Sequence, residues 1–166
     1  MTDKVLLTGI SGWIAKHTAI ELLNAGYEVL GTVRNNTLIE QTKETISQHA
    51  SIDKLFFVEL DLLKDDGWNE AAKECKYIMH LASPFPFKVS NNRNSLLAPA
   101  VDGTLRVLNA GLNANVKQFI VTSSIAAMFR KPNRTNPYSF NENDWTDENW
   151  KEGVNDYFLS KTKAEK

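Results

Sequence analysis

The sequence has 166 residues, with 19 basic against 20 acidic side chains and a formal net charge of −1. Hydrophobic residues make up 42% and charged residues 23%, ordinary globular usage that excludes a disordered chain. The even charge gives no sign of a nucleic-acid partner, which would call for a basic excess or stripe.

Val5-Leu6-Leu7-Thr8 is a short apolar run that stops at Gly9 and predicts a buried strand. Ile14, Ala19, Leu22 and Leu23 then recur at helical spacing, and Gly26 closes that helix. Tyr27 to Val33 predicts a second strand, and Asn36 or Thr37 is placed to cap a second helix running to about His49. A third strand is expected over Lys54 to Leu60, a short helix over Leu63 to Lys73, and a fourth strand over Tyr77 to Ala82, ended by Ser83-Pro84. A longer helix follows, roughly over 93–113. Its Leu97, Val101, Leu105, Leu108 and Leu112 form one apolar stripe, and Pro99 lies near its start. Gln118 to Thr122 predicts a fifth strand. Residues 127–150 are rich in Asn, Pro and aromatic side chains and read as a long functional loop, before a last helix from about Val154.

Strands alternating with helices predict an α/β fold: a parallel sheet of about five strands with right-handed crossovers and helices on both faces. Ligands of such sheets bind beyond the carboxyl ends of the strands, where strand order reverses. The length suits one domain over 1–166. Cys75 stands alone, which excludes an internal disulfide framework and a Cys-rich metal site and reads as a buried thiol; no metal is expected. No apolar run reaches the roughly 18 residues of a membrane span. Met1-Thr2-Asp3-Lys4 lacks a signal-peptide layout, so a cytoplasmic protein with no membrane partner is expected.

Between the first strand and first helix stands Thr8-Gly9-Ile10-Ser11-Gly12-Trp13-Ile14-Ala15. Glycines there let backbone approach a pyrophosphate, while the helix end offers free N–H groups and a positive dipole. Ala15 replaces the usual third glycine and is small enough for close packing. A plain strand-to-helix turn is the alternative. The second strand ends in Gly31-Thr32-Val33-Arg34, with no carboxylate to hold an adenosine ribose. Arg34 offers a planar fork suited to a 2′-phosphate, so NADP(H) is expected over NAD(H), with Lys43 as a helper. Tyr157 and Lys161 are four apart on one helix face, downstream of a strand ending in Thr122-Ser123-Ser124. A nearby ammonium favours a phenolate, and a serine hydroxyl can bond a substrate oxygen on which charge develops. A surface helix pair and a strand terminus are the structural alternatives.

These motifs, with Asp61-Leu62, His80-Leu81-Ala82-Ser83-Pro84-Phe85, Pro99-Ala100-Val101-Asp102-Gly103-Thr104 and Tyr157-Phe158-Leu159-Ser160-Lys161, occur in one order from end to end of the chain. In that order the chain resembles the N-terminal, cofactor-binding part of an extended short-chain dehydrogenase/reductase of the NAD-dependent epimerase/dehydratase type. Within it, the resemblance is to the dihydroflavonol-reductase-like branch, with cinnamoyl-CoA reductases and methylglyoxal or ketone reductases. The resemblance implies a Rossmann-type doubly wound sheet and reduction of a small-molecule aldehyde or ketone by hydride transfer from NADPH. It implies that Ser124 polarises the carbonyl, Tyr157 donates the proton and contacts the cofactor, and Lys161 tunes Tyr157 and holds the nicotinamide ribose. Gly9, Ser11, Gly12, Trp13, Ile14 and Arg34 would bind the cofactor, Asp61 and Leu62 would flank adenine, and Leu81, Ala82, Ser83 and Thr122 would line its path. His80 reads as structural, and Phe85, Phe87 and Met128 as pocket or core. Family members continue past the Tyr-x-x-x-Lys helix into the region that forms most of the substrate pocket. The fifth strand is therefore expected as an open edge, and self-association as a homo-oligomer is expected through the Leu97–Leu112 stripe and the Tyr157 helix. A dinucleotide-binding protein without turnover, an inactive fragment, and an epimerase or dehydratase are the competing readings.

Overall fold

The computed structural model of the chain describes residues 2–85, 94–133 and 137–166, with 94 and 95 as backbone only. These residues fall into two compact units. One comprises Met1–Ser83 with Arg106–Thr122, the other Pro84–Leu105 with Ser123–Lys166.

The first unit is built on five parallel strands, β1 (Lys4–Thr8), β2 (Glu28–Val33), β3 (Leu55–Glu59), β4 (Tyr77–His80) and β5 (Gln118–Val121), in the order β3-β2-β1-β4-β5. Leu6 lies in register with Leu30 on one side and Ile78 on the other. Side chains alternate between faces. Leu6, Leu30 and Ile78 pack with Trp68, Ala71 and Ala72 of α3 (Trp68–Lys73) and with Val107 and Ala110 of α4 (Asn94–Asn113). Leu7, Val29 and Val33 pack on the opposite face with Ala19 and Ile20 of α1 (Trp13–Asn24) and Ile46 of α2 (Ile39–Ser47). Helices therefore cover both faces, which gives the Rossmann-type doubly wound sheet expected from the alternating pattern. Each of these large side chains contributes about 1.5–3 kcal/mol on burial. Strand order reverses between β1 and β4, so the carboxyl ends of those strands flank the switch point.

Several local expectations change. The second helix is capped by neither Asn36 nor Thr37: it starts after Leu38 with no side-chain cap, and Asn35 instead caps a 3₁₀ turn over Asn36–Leu38 ahead of it, its side chain accepting from the Thr37 N–H. The third helix is six residues, because Gly67 adopts φ +83 just before Trp68 and breaks any continuation from Leu63. β4 stops at His80, since the Leu81 and Ala82 N–H groups donate to the Thr8 hydroxyl instead of to a ladder partner. The apolar stripe of α4 is not its buried face. Leu96, Ala100, Val107 and Ala110 are buried, while Leu105 and Leu112 are exposed. Ile120 and Val121 of β5 are exposed on the sheet edge. Cys75 is buried as expected, and burial pushes its thiol up to about 12.

The second unit contains a 3₁₀ turn (Ile125–Ala127) and α5 (Asp156–Glu165), and several described residues between them are tied by hydrogen bonds. Buried Thr146 donates its hydroxyl to the Ala126 carbonyl and its N–H to the Ala127 carbonyl, and accepts from the Arg130 N–H. Buried Asp144 accepts from Lys131, Tyr138 and the Asn141 N–H, and these partners hold its carboxyl down to about 2. Among the described residues no helix is long and apolar enough to cross a membrane, and no group of three or more His, Cys, Asp or Glu could hold a metal ion.

Candidate cofactor and proton-transfer site

The turn after β1 is shaped by side chains that the glycine pattern alone does not reveal. Gly9 has φ +69, and a Cβ there would stand 3.0 Å from the Ala82 Cβ, so only glycine fits on both counts. Its N–H donates to the Thr32 hydroxyl at 3.0 Å, and the Ile10 N–H donates to the Thr32 carbonyl at 3.1 Å. Ile10 is fully buried, and its side chain occupies the space that a Cβ on Gly31 would need. The loop is thus anchored from β2 and β4. Gly12 is the N-cap of α1 and supplies no side-chain cap, so the N–H groups of the first helical turn are left to the helix end. Trp13 is 76% exposed and Ile14 is also exposed at that end. Ser11 lies half-buried within the turn. This arrangement fits a phosphate: a close-approach glycine, an uncapped helix N-terminus, and a backbone held in place from both sides.

His80 is structural. Its Nδ1 lies 2.9 Å from the Thr8 hydroxyl, which already accepts the N–H groups of Leu81 (3.0 Å) and Ala82 (2.9 Å). Thr8 must therefore donate to Nδ1, which places the ring proton on Nε2. The same hydroxyl fixes Leu81 and Ala82 beside the glycine turn. Arg34 follows β2 and is exposed. Lys43 pairs with Glu40 at 3.1 Å and lies over the Phe57 ring. Asp61 and Leu62 follow β3: the Asp61 carboxylate accepts from the Leu63 N–H at 2.9 Å, and Leu62 packs partly into the core. Ser83 and Thr122 are half-buried, with the Thr122 N–H bonded to the His80 carbonyl at 3.0 Å. Gly9 to Ile14, Arg34, Asp61, Leu62, Leu81 to Ser83 and Thr122 all belong to the first unit.

Ser124, Tyr157 and Lys161 belong to the second. Ser124 caps the 3₁₀ turn, its hydroxyl accepting from the Ala126 N–H at 3.2 Å. Neighbouring Ser123 is exposed and bonds Glu165 instead. Asn155 caps α5 by accepting from the Phe158 N–H, which starts the helix one residue before Tyr157. Tyr157 is half-buried, with the Phe85 ring edge-on at 5.4 Å. Lys161, one turn on, is only 8% exposed, and burial lowers its ammonium below the usual range against the opposing pull of Glu165. Phe85 thus stands beside Tyr157, while Met128 is half-buried after the 3₁₀ turn. Phe87 lies outside the described residues.

Residues 5–166 match the NAD dependent epimerase/dehydratase family. The chain is 31% identical to dihydroflavonol 4-reductase of Hordeum vulgare over 98% of its own length and 47% of the relative's. It is 35% identical to cinnamoyl-CoA reductase 1 of Petunia hybrida over 97% of its own length and 47% of that protein's. The solved structure of yeast methylglyoxal/isovaleraldehyde reductase Gre2 complexed with NADPH superposes with a TM-score of 0.83 at 31% identity, covering 98% of this chain and 50% of that one. The chain spans about half the length of the relatives it matches. With the turn, the sheet order and these likenesses together, the chain belongs to the NAD dependent epimerase/dehydratase family.

Proposed function

We propose that the chain is the cofactor-binding, proton-donating part of an NADPH-dependent oxidoreductase that reduces an aldehyde or ketone to an alcohol. The observation that carries this reading is Lys161, a lysine buried on α5 one helical turn from a half-buried tyrosine. Lysine is almost never buried for packing alone. The likeness to reductases, one of them solved with NADPH, supports the same reading.

NADPH, when bound, supplies the hydride. Gly9, Ser11, Gly12, Trp13 and Ile14 bind its pyrophosphate through the turn and the uncapped end of α1. Arg34 takes the 2′-phosphate through its guanidinium fork. Asp61 and Leu62 flank the adenine, and Leu81, Ala82, Ser83 and Thr122 line the path of the dinucleotide. Ser124 hydrogen-bonds the substrate carbonyl oxygen, and Tyr157 passes its phenolic proton to that oxygen as it becomes an alkoxide. The Lys161 ammonium stabilises the phenolate left behind. The exposed Leu105 and Leu112 of α4 favour self-association as part of this proposal. A single monomeric species across concentrations by light scattering would count against it.

The test is to titrate NADPH and then follow its consumption with a panel of aldehydes and ketones. Turnover abolished by Tyr157→Phe supports the proposal. Binding without turnover makes the chain a dinucleotide-binding module, and no binding removes the proposal altogether.

A further inference from the structure

Asp61 and Leu62 lie between β3 and α3, outside both elements. Their local ties are short. The Asp61 carboxylate accepts from the Leu63 N–H, and the Trp68 indole N–H is shared between the Asp61 carbonyl at 3.2 Å and the Lys64 carbonyl at 3.1 Å. A tie of another kind comes from α4. The Arg106 guanidinium donates through Nε to the Asp65 carboxylate and through one Nη to the Leu62 carbonyl. These contacts span 41 and 44 residues of sequence, and the Arg106 side chain is largely buried while that of Asp65 is mostly exposed. An exposed ion pair alone stabilises little. What the guanidinium adds is geometry: a planar fork that fixes a backbone carbonyl and a carboxylate at once.

We propose that Arg106 is a positioning residue for the adenosine half of the dinucleotide, holding the Leu62 carbonyl so that Asp61 and Leu62 present a fixed surface to the adenine. This rests on the reading above in which those two residues flank the adenine. A segment already ordered before binding loses less entropy when the ligand arrives, and that difference appears as affinity. Arg106→Met keeps the buried stem and removes both hydrogen bonds. Arg106→Lys keeps the charge but cannot form the fork.

The experiment measures the dissociation constants of NADPH and of adenosine 2′,5′-bisphosphate for the 166-residue chain and for Arg106→Met, Arg106→Lys and Asp61→Ala, with circular dichroism to establish that each variant is folded. Arg106→Met weakens both ligands about tenfold and by the same factor, because the whole loss lies in the adenosine half. Arg106→Lys weakens both by about threefold, and it carries the test if the methionine variant does not fold. Unchanged affinity in folded variants, or a loss confined to NADPH and absent for the bisphosphate, overturns the proposal. If Asp61→Ala also leaves both affinities unchanged, the adenine reading itself falls. If Asp61→Ala weakens binding while the Arg106 variants do not, the reading stands and Arg106 alone is excluded.

Discussion

Replacing Thr8 by valine tests whether one hydroxyl organises the end of β4. The two side chains are nearly the same size, so Thr8→Val leaves no cavity. It removes an oxygen that accepts the Leu81 and Ala82 N–H groups and donates to His80 Nδ1. Each buried polar group left without a partner costs about 1–3 kcal/mol. Leu81 and Ala82 are half-buried and regain part of this from water, whereas His80 is only 3% exposed and regains little. The three losses together come to about 3 kcal/mol, a large share of the 5–15 kcal/mol that is usual for a domain of this size. Thr8→Ser keeps the hydroxyl and loses one methyl, which costs about 1 kcal/mol. Urea unfolding with an unchanged slope measures both. Serine is therefore the milder change by about 2 kcal/mol, although valine is the closer match in volume. A valine variant as stable as the serine one would refute the assignment of Thr8 as the organiser of this corner. The same variant is expected to weaken NADPH binding, because Ala82 packs against Gly9 of the glycine turn proposed to hold the pyrophosphate.

Gly31→Ala places a Cβ 2.5 Å from Ile10 Cδ1 and costs about 2 kcal/mol in chemical denaturation. Added to Ile10→Ala, which removes Cδ1 and Cγ2 and leaves only the Cβ at 2.9 Å, it costs clearly less than it does alone, and fully additive losses would show that the clash is elsewhere. Lys161→Met abolishes turnover yet raises the unfolding midpoint at neutral pH, because burial disfavours the charged form. The folded protein holds the Lys161 proton less tightly than the unfolded chain does. Its destabilising effect is therefore full below the lowered folded value and fades as pH rises through that value toward 10.5, so the stability gap between variant and wild type closes in alkali. A methionine variant less stable than wild type at neutral pH contradicts this. Asp144→Asn removes a carboxylate held down to about 2 by Lys131 and Tyr138. Its stabilising effect is full above 3.8 and is lost as pH falls through about 2, so wild type and variant should converge in acid titrations of stability. A gap that persists unchanged at the acid end would argue against an ionised Asp144 as the anchor of that loop.

Much of the fold was legible because its signals are local. Apolar runs at Val5, Tyr77 and Phe119 mark the strands, and the alternation of strand and helix leaves one plausible sheet class. The glycine turn and the Tyr157-to-Lys161 spacing were legible for the same reason. What escaped depends on contacts between distant segments. Nothing near Gly31 announces that Ile10 needs its space, and nothing near Thr8 announces that its hydroxyl will end β4. Thr146, which ties the Ala126 and Ala127 carbonyls 20 and 19 residues upstream, carries no motif at all. The α4 stripe misled in a different way. Its leucines are the more hydrophobic set, but the buried positions are Leu96 and the smaller Ala100, Val107 and Ala110, and it is Val107 and Ala110 that pack in the cluster against the sheet. The shortened third helix turned on the left-handed conformation of Gly67, and the sequence shows the glycine without its φ.

In the proposed reaction a hydride passes from NADPH to a carbonyl carbon while Tyr157 supplies the proton. The most direct measurement uses NADPH deuterated at the transferring C4 position with a panel of aldehydes and ketones, and locates the label in the product by mass spectrometry. The expected result is one deuterium on the carbinol carbon, abolished by Tyr157→Phe with NADPH affinity retained. A protein that binds NADPH and leaves every product unlabelled, or that transfers label equally well without the Tyr157 hydroxyl, would contradict it.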